Sequence, residues 1–132
     1  FDENFFLFFE ETDFCKRSRK MGYKIYQINS AKIKHPKGNR AGVVKSKNKK
    51  EYKKLQNFYG WHFMWSKFYY YQKHYSFLFA IIYFLPILIR IKMKIYFYKI
   101  FYNKENLEKY TARFSGLLNS MTKKKSSLRF II

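Results

Sequence analysis

The hydrophobic and polar positions divide the chain into segments of distinct period. Residues 1–9, FDENFFLFF, are aromatic, with Asp2 and Asn4 as turn formers. From Thr12 to Met21 the pattern predicts a short helix, with Phe14, Ser18 and Met21 on its inner face and Gly22 as its stop. Glu10, Glu11 and Asp13 fall at its positive N-terminal end, where carboxylates are favoured, and Lys16, Arg17, Arg19 and Lys20 lie toward its C-terminal half. Tyr23–Asn29 reads as a strand. Ala31–His35 reads as a second short strand or its continuation, with Ala31, Ile33 and His35 on one face and Lys32 and Lys34 on the other. Pro36 and Gly38 then break the pattern.

Asn39–Lys54 is a loop rich in Lys, Asn and Gly, which reads as a boundary. From Tyr52 to Tyr75 the chain is aromatic and helical in length, with Trp61, Trp65, Phe68 and Tyr69 at three- and four-residue steps. These tryptophans read as packing or interfacial anchors, and His62 and His74 as structural. Tyr75–Ile89 carries no charge but is shorter than the roughly 20 residues of a spanning helix, and Pro86 should kink it. Arg90–Tyr102 mixes four cations with Ile, Met, Phe and Tyr, which suits a helix lying in the interface of an anionic membrane. A final amphipathic helix is expected over Asn103–Lys125, with Leu107, Tyr110, Phe114, Leu117, Leu118 and Met121 in register and a solvated KKKSS tail.

Composition changes this picture in three ways. The chain has 132 residues, one ordinary domain at most, and a net charge of +20. Such charge points to nucleic acid or an anionic membrane. Lys outnumbers Arg 22 to 6 while Phe, Tyr, Ile and Asn are abundant, the profile of AT-rich coding, so charge alone is weak evidence for nucleic acid. An aromatic content of 23% excludes a disordered basic tail. The single Cys15 can form neither an internal disulfide nor a zinc site and reads as a small buried residue in a reduced compartment.

The order of motifs in residues 1–38 resembles the C-terminal active-site part of family 2 inverting glycosyltransferases, closest to the rhamnosyltransferase-like members. The matching features are Phe1-Asp2-Glu3, the aromatic run Phe5 to Phe9, Glu10-Glu11, Thr12-Asp13-Phe14-Cys15, the basic helix Lys16 to Lys20, Gly22-Tyr23, and His35-Pro36-Lys37-Gly38. The remaining chain is similar in style only. The family ends its acidic pair in Asp where this chain has Glu11.

The resemblance implies a fold and a chemistry. The fold class is α/β: the C-terminal fragment of a GT-A type, Rossmann-like nucleotide-sugar transferase domain, followed by aromatic, membrane-associated helices. The implied boundaries are 1–40 for the catalytic piece, 41–51 for a basic linker, 52–102 for membrane-associated helices and 103–132 for the last helix and tail. The implied reaction moves a sugar from a nucleotide-diphospho-sugar to a hydroxyl of a glycan or lipid-linked acceptor, with inversion. Glu11 is the implied base, with Glu10 and Asp13 as competitors. His35 is the implied metal or diphosphate ligand, and Lys37 and Arg40 the phosphate contacts. The cofactor is a divalent metal, Mg or Mn, in the parent enzyme, and the location is the cytoplasmic face of the membrane. No Asp-x-Asp pair and no nucleotide-binding strand-helix units occur here, so the resemblance implies a fragment inactive without a preceding half. The alternatives are a basic nucleic-acid-binding protein, which the acidic first thirteen residues disfavour, and a small membrane protein with one span at 73–92.

Overall fold

The structure is a computed structural model, described here for residues 1–32 and 49–129. It contains four helices: α1 (Glu10–Lys20), α2 (Lys49–His74), α3 (Phe77–Ile100) and α4 (Lys104–Met121). No strand occurs among the described residues, so the expected α/β, Rossmann-like class is replaced by an all-α architecture. Tyr23–Asn29 is rich in strand-forming Tyr and Ile, but a strand needs a neighbour to take up its N–H and C=O groups. Residues 23–32 are all exposed and meet no such neighbour among the described residues. The end of that stretch closes in a turn, with the Ala31 N–H donating to the Ile28 carbonyl at 3.2 Å. Ile33 and His35, expected on the buried face of a second strand, lie outside the described residues.

Helices α2, α3 and α4 form an up-down-up bundle. The core is Met64 and Phe68 from α2, Ala80, Phe84 and Ile91 from α3, and Leu117 from α4. Tyr110, Phe114 and Met121 pack against it as the register predicts, while Leu118 of the same set points outward. α4 lies along α2 in the same direction, and Gly116 permits the closest approach. A Cβ at Gly116 would come within 2.2 Å of the Trp61 carbonyl oxygen. Trp61 and Trp65 are packing residues, 5% and 3% exposed. Their indole N–H groups donate to Ser115 Oγ at 3.3 Å and to the Lys124 carbonyl at 2.9 Å.

Helix ends follow local chemistry. Ser76 caps α3 by accepting from the Phe79 N–H, and Asn103 caps α4 by accepting from the Asn106 N–H. α1 ends in a Schellman motif: Tyr23 N–H reaches the Ser18 carbonyl, Gly22 N–H reaches Arg19, and Gly22 takes φ +85°. Tyr102 and Lys123 occupy the corresponding left-handed positions after α3 and α4, with φ 51° and 57°. Pro86, expected to kink this segment, lies inside the single helix α3 on its exposed side.

Residues 1–9 wrap over α2 through ring contacts. Phe5 meets Tyr69, Phe6 meets Phe58 and His62, and Phe8 and Phe9 both meet Phe63. The Ser66 hydroxyl donates to the Leu7 carbonyl at 2.6 Å. Phe8 and Phe9 each take φ 66°, a left-handed conformation costing about 1 kcal/mol or more per non-glycine residue. This double turn sets the direction in which α1 departs. The inner face of α1 differs from the expectation: Phe14 and Met21 are exposed, and Asp13 is the buried residue.

Candidate functional site

The first turn of α1 carries Glu10, Glu11 and Asp13, and the structure gives them three different surroundings. Asp13 is fully buried against the end of α2. Its Oδ1 accepts from Lys73 Nζ and from His74 Nε2, each at 2.8 Å, and its Oδ2 accepts from Arg17 Nε at 2.8 Å. Lys73 Nζ also donates to Asp2 Oδ2 at 2.7 Å, which the Tyr69 hydroxyl meets at 3.2 Å. The second Asp2 oxygen accepts from the Asn4 backbone and side-chain amides at 2.9 and 2.8 Å.

This network shifts Asp13, Asp2, Lys73 and His74. Burial alone would raise the Asp13 carboxyl, but the hydrogen bonds from Lys73, Arg17 and His74 outweigh it and hold the group below its ordinary value. Asp2 is held down at about 2, burial again opposing the donors Lys73 and Asn4. Burial would depress Lys73, but its two carboxylate partners raise it. His74 moves down, because burial prevails over the pull of Asp13, and its Nε2 must carry the proton that the carboxylate accepts. A carboxylate saturated in this way is a structural anchor and not a free base.

Glu11 is the contrasting case. It is exposed and lines an open cleft of about 760 Å³ with Thr12, Cys15, Lys16, Arg19, Lys20, Tyr70 and Tyr75. Lys16 Nζ stands 3.7 Å from the centre of the Tyr75 ring, which fixes one cation on the cleft wall. Cys15, expected to be buried, is half-buried and faces the same cleft. Glu10 has one carboxylate oxygen, Oε2, that is shielded and meets no donor. A shielded acceptor without a donor is costly, and Glu10 does not line the cleft that Glu11 faces.

The resemblance brought Glu10, Glu11 and Asp13 together, and the structure does place them on one turn. His35, Lys37 and Arg40 lie outside the described residues. Among the described residues no group of three or more His, Cys, Asp or Glu side chains converges to hold a metal ion, and Asp13, the best-placed acid, already has three cationic or imidazole donors. Sequence reasoning missed Lys73 and His74 as partners of Asp13, and Asp2 and Tyr69 as members of the same network through Lys73. The available signals were the spacing of Asp13 to Arg17 and the adjacent cation and imidazole at the end of a long aromatic helix.

A second buried histidine sits in the middle of α2. His62 Nε2 lies 3.0 Å from the Leu128 carbonyl, so it donates there, and Nδ1 accepts from the Ser126 hydroxyl at 3.0 Å. Burial pushes this imidazole down to about 4, so it is neutral. Arg129 lies over the Phe6 ring at 4.0 Å. The tail expected to be solvated is exposed at Lys123 to Lys125 and at Ser127, but Ser126 is buried.

Fold and site define a class in general terms: a strongly basic helical bundle with an N-terminal helix whose acidic first turn is locked onto it by buried charge. Compared with known protein families, curated proteins and solved structures, the chain gives no match.

Proposed function

We propose that the chain is the acceptor-side part of an inverting glycosyltransferase in which Glu11 is the general base. The motif order of residues 1–38 motivates this reading. The observation that carries it is the separation of roles on the first turn of α1. Asp13 is saturated and buried, while Glu11 is exposed, free of any ion pair among the described residues, and set in a cleft walled by Lys16, Arg19 and Lys20.

In the proposed reaction the acceptor hydroxyl oxygen bonds to the anomeric carbon from the face opposite the leaving group. Glu11 takes the hydroxyl proton as the new C–O bond forms. The bond between the anomeric carbon and the phosphate oxygen breaks, and the nucleoside diphosphate leaves with its electron pair. Lys16, Arg19 and Lys20 stabilise the charge that develops on it.

The strained Phe8-Phe9 turn supports the same reading, because such strain concentrates where a side chain must be aimed. The test uses the full-length enzyme carrying this chain, a panel of nucleotide-diphospho-sugars, and nucleoside diphosphate release with the product anomer read by proton NMR. Glu11→Gln should lower kcat by about 10²–10⁴-fold with the donor KM little changed. Turnover of Glu11→Gln equal to that of the unmodified enzyme would overturn the assignment.

A further inference from the structure

The outer face of α3 is an apolar surface that nothing among the described residues covers. Leu78, Ile82, Leu85, Ile89, Met93 and Tyr96 recur every three or four residues and form one stripe along the helix, each at least half exposed. The helix has 24 residues and is about 36 Å long. Its opposite face is sealed to the bundle by Ala80, Phe84 and Ile91, none more than 5% exposed. A contiguous exposed patch of this kind marks an interaction surface.

Charge identifies the occupant. No Asp or Glu occurs between Glu51 and Glu105, whereas Arg90, Lys92, Lys94 and Lys99 all lie on α3. At 3.6 residues per turn Arg90 falls along one edge of the stripe and Lys92 and Lys99 along the other, all three exposed. Two copies pairing through this stripe would bring these cations face to face, on chains of net charge +20 each. Aromatic side chains mark the two ends of the helix, Tyr75 and Phe79 at one and Phe101 and Tyr102 at the other. No helix among the described residues is long and apolar enough to cross a membrane, and α3 cannot be wrapped by lipid while one face is packed on α2 and α4.

We infer that α3 docks this protein on an anionic lipid bilayer, lying in the plane of the surface. The stripe enters the acyl boundary, and Arg90, Lys92 and Lys99 extend from its edges to the headgroup phosphates. This surface goes beyond the catalytic reading and stands or falls without it, because docking is measured without turnover.

The test is co-sedimentation of the full chain with vesicles of phosphatidylcholine plus phosphatidylglycerol, and with phosphatidylcholine alone. Binding should require phosphatidylglycerol, and the double variant Ile82→Asp with Ile89→Asp should weaken it at least about tenfold while leaving the helical circular dichroism unchanged. A Trp introduced by Leu85→Trp should be quenched by brominated acyl chains, whereas Trp61 and Trp65, enclosed in the bundle, should not. Three results would overturn the inference: no binding to phosphatidylglycerol vesicles, binding that the Asp pair does not weaken, or a dimer in solution that the Asp pair dissociates. Absence of quenching at position 85 would also overturn it, by showing that another face meets the lipid.

Discussion

Helix α2 anchors both ends of the described chain, and it does so with two histidines in opposite electrostatic settings. At its C-terminal end His74 joins Lys73 and Arg17 around the buried Asp13, so the N-terminal segment is held by charge. At mid-helix His62 sits between the Ser126 hydroxyl and the Leu128 carbonyl, so the C-terminal tail is held by neutral hydrogen bonds. A fully paired charge network fixes position strongly, because losing one member leaves the rest buried and uncompensated. A neutral pair needs no counter-charge but fails as soon as the imidazole takes up a proton. The candidate base Glu11 belongs to neither arrangement, which is why it faces the cleft.

The largest expected effect breaks the charged side. Asp13→Asn should cost about 4 kcal/mol, since Lys73 and Arg17 then lose their shared carboxylate. Chemical denaturation at neutral pH measures it.

Acid should remove these contributions in two stages. His62 has an ordinary value of 6.5 and a folded value of about 4, so the unfolded chain takes up the proton first as pH falls. Its contribution is complete above pH 6.5 and lost as pH falls toward 4, amounting to about 3 kcal/mol. The contribution of His74, depressed by burial, is lost in the same direction below 6.5. Asp2 is depressed from 3.8 to about 2, so its contribution of about 2 kcal/mol is present above pH 3.8 and lost between there and 2. Asp13, also depressed, is lost on the same acid side. Denaturation midpoints recorded as a function of pH should therefore fall first through the histidines and then through the carboxylates. His62→Phe should reduce the upper step of the profile and leave the lower one.

Two smaller changes sharpen the neutral side. Ser126→Ala leaves His62 Nδ1 without its donor and should cost about 1–2 kcal/mol, read by thermal unfolding. Lys123 occupies a left-handed position with φ 57° just before the tail, so Lys123→Gly should stabilise by up to about 1 kcal/mol.

Much of the helical content was legible. The spacing of aromatic and aliphatic positions placed α2 and α4 near their observed limits, because burial on one face imposes the 3.6-residue period, whereas α3 joins into one helix the runs Tyr75–Ile89 and Arg90–Tyr102 that read as separate segments. Gly22 marked the end of α1 because only a left-handed residue closes that turn without strain. The expected strand failed at Tyr23–Asn29, since strand-forming side chains suit a pleated surface but cannot supply a pairing partner. Likewise Phe14 looked like the inward residue of α1, but Lys73 and His74, about sixty positions away, make Asp13 the group that is buried. In the candidate site the acidic trio could be found by motif order. The division between an anchored Asp13 and a free Glu11 depends on long-range partners that no local pattern contains.

The most direct test of that division is amide hydrogen exchange, comparing Asp13→Asn with Glu11→Gln in the full chain. Asp13→Asn should accelerate exchange across α1 while residues 123–129 keep their protection, and Glu11→Gln should leave α1 as protected as before. If Glu11→Gln opens α1 as far as Asp13→Asn does, or if Asp13→Asn leaves α1 protected, the charge lock does not hold the first helix and Glu11 is not the free acid of the site.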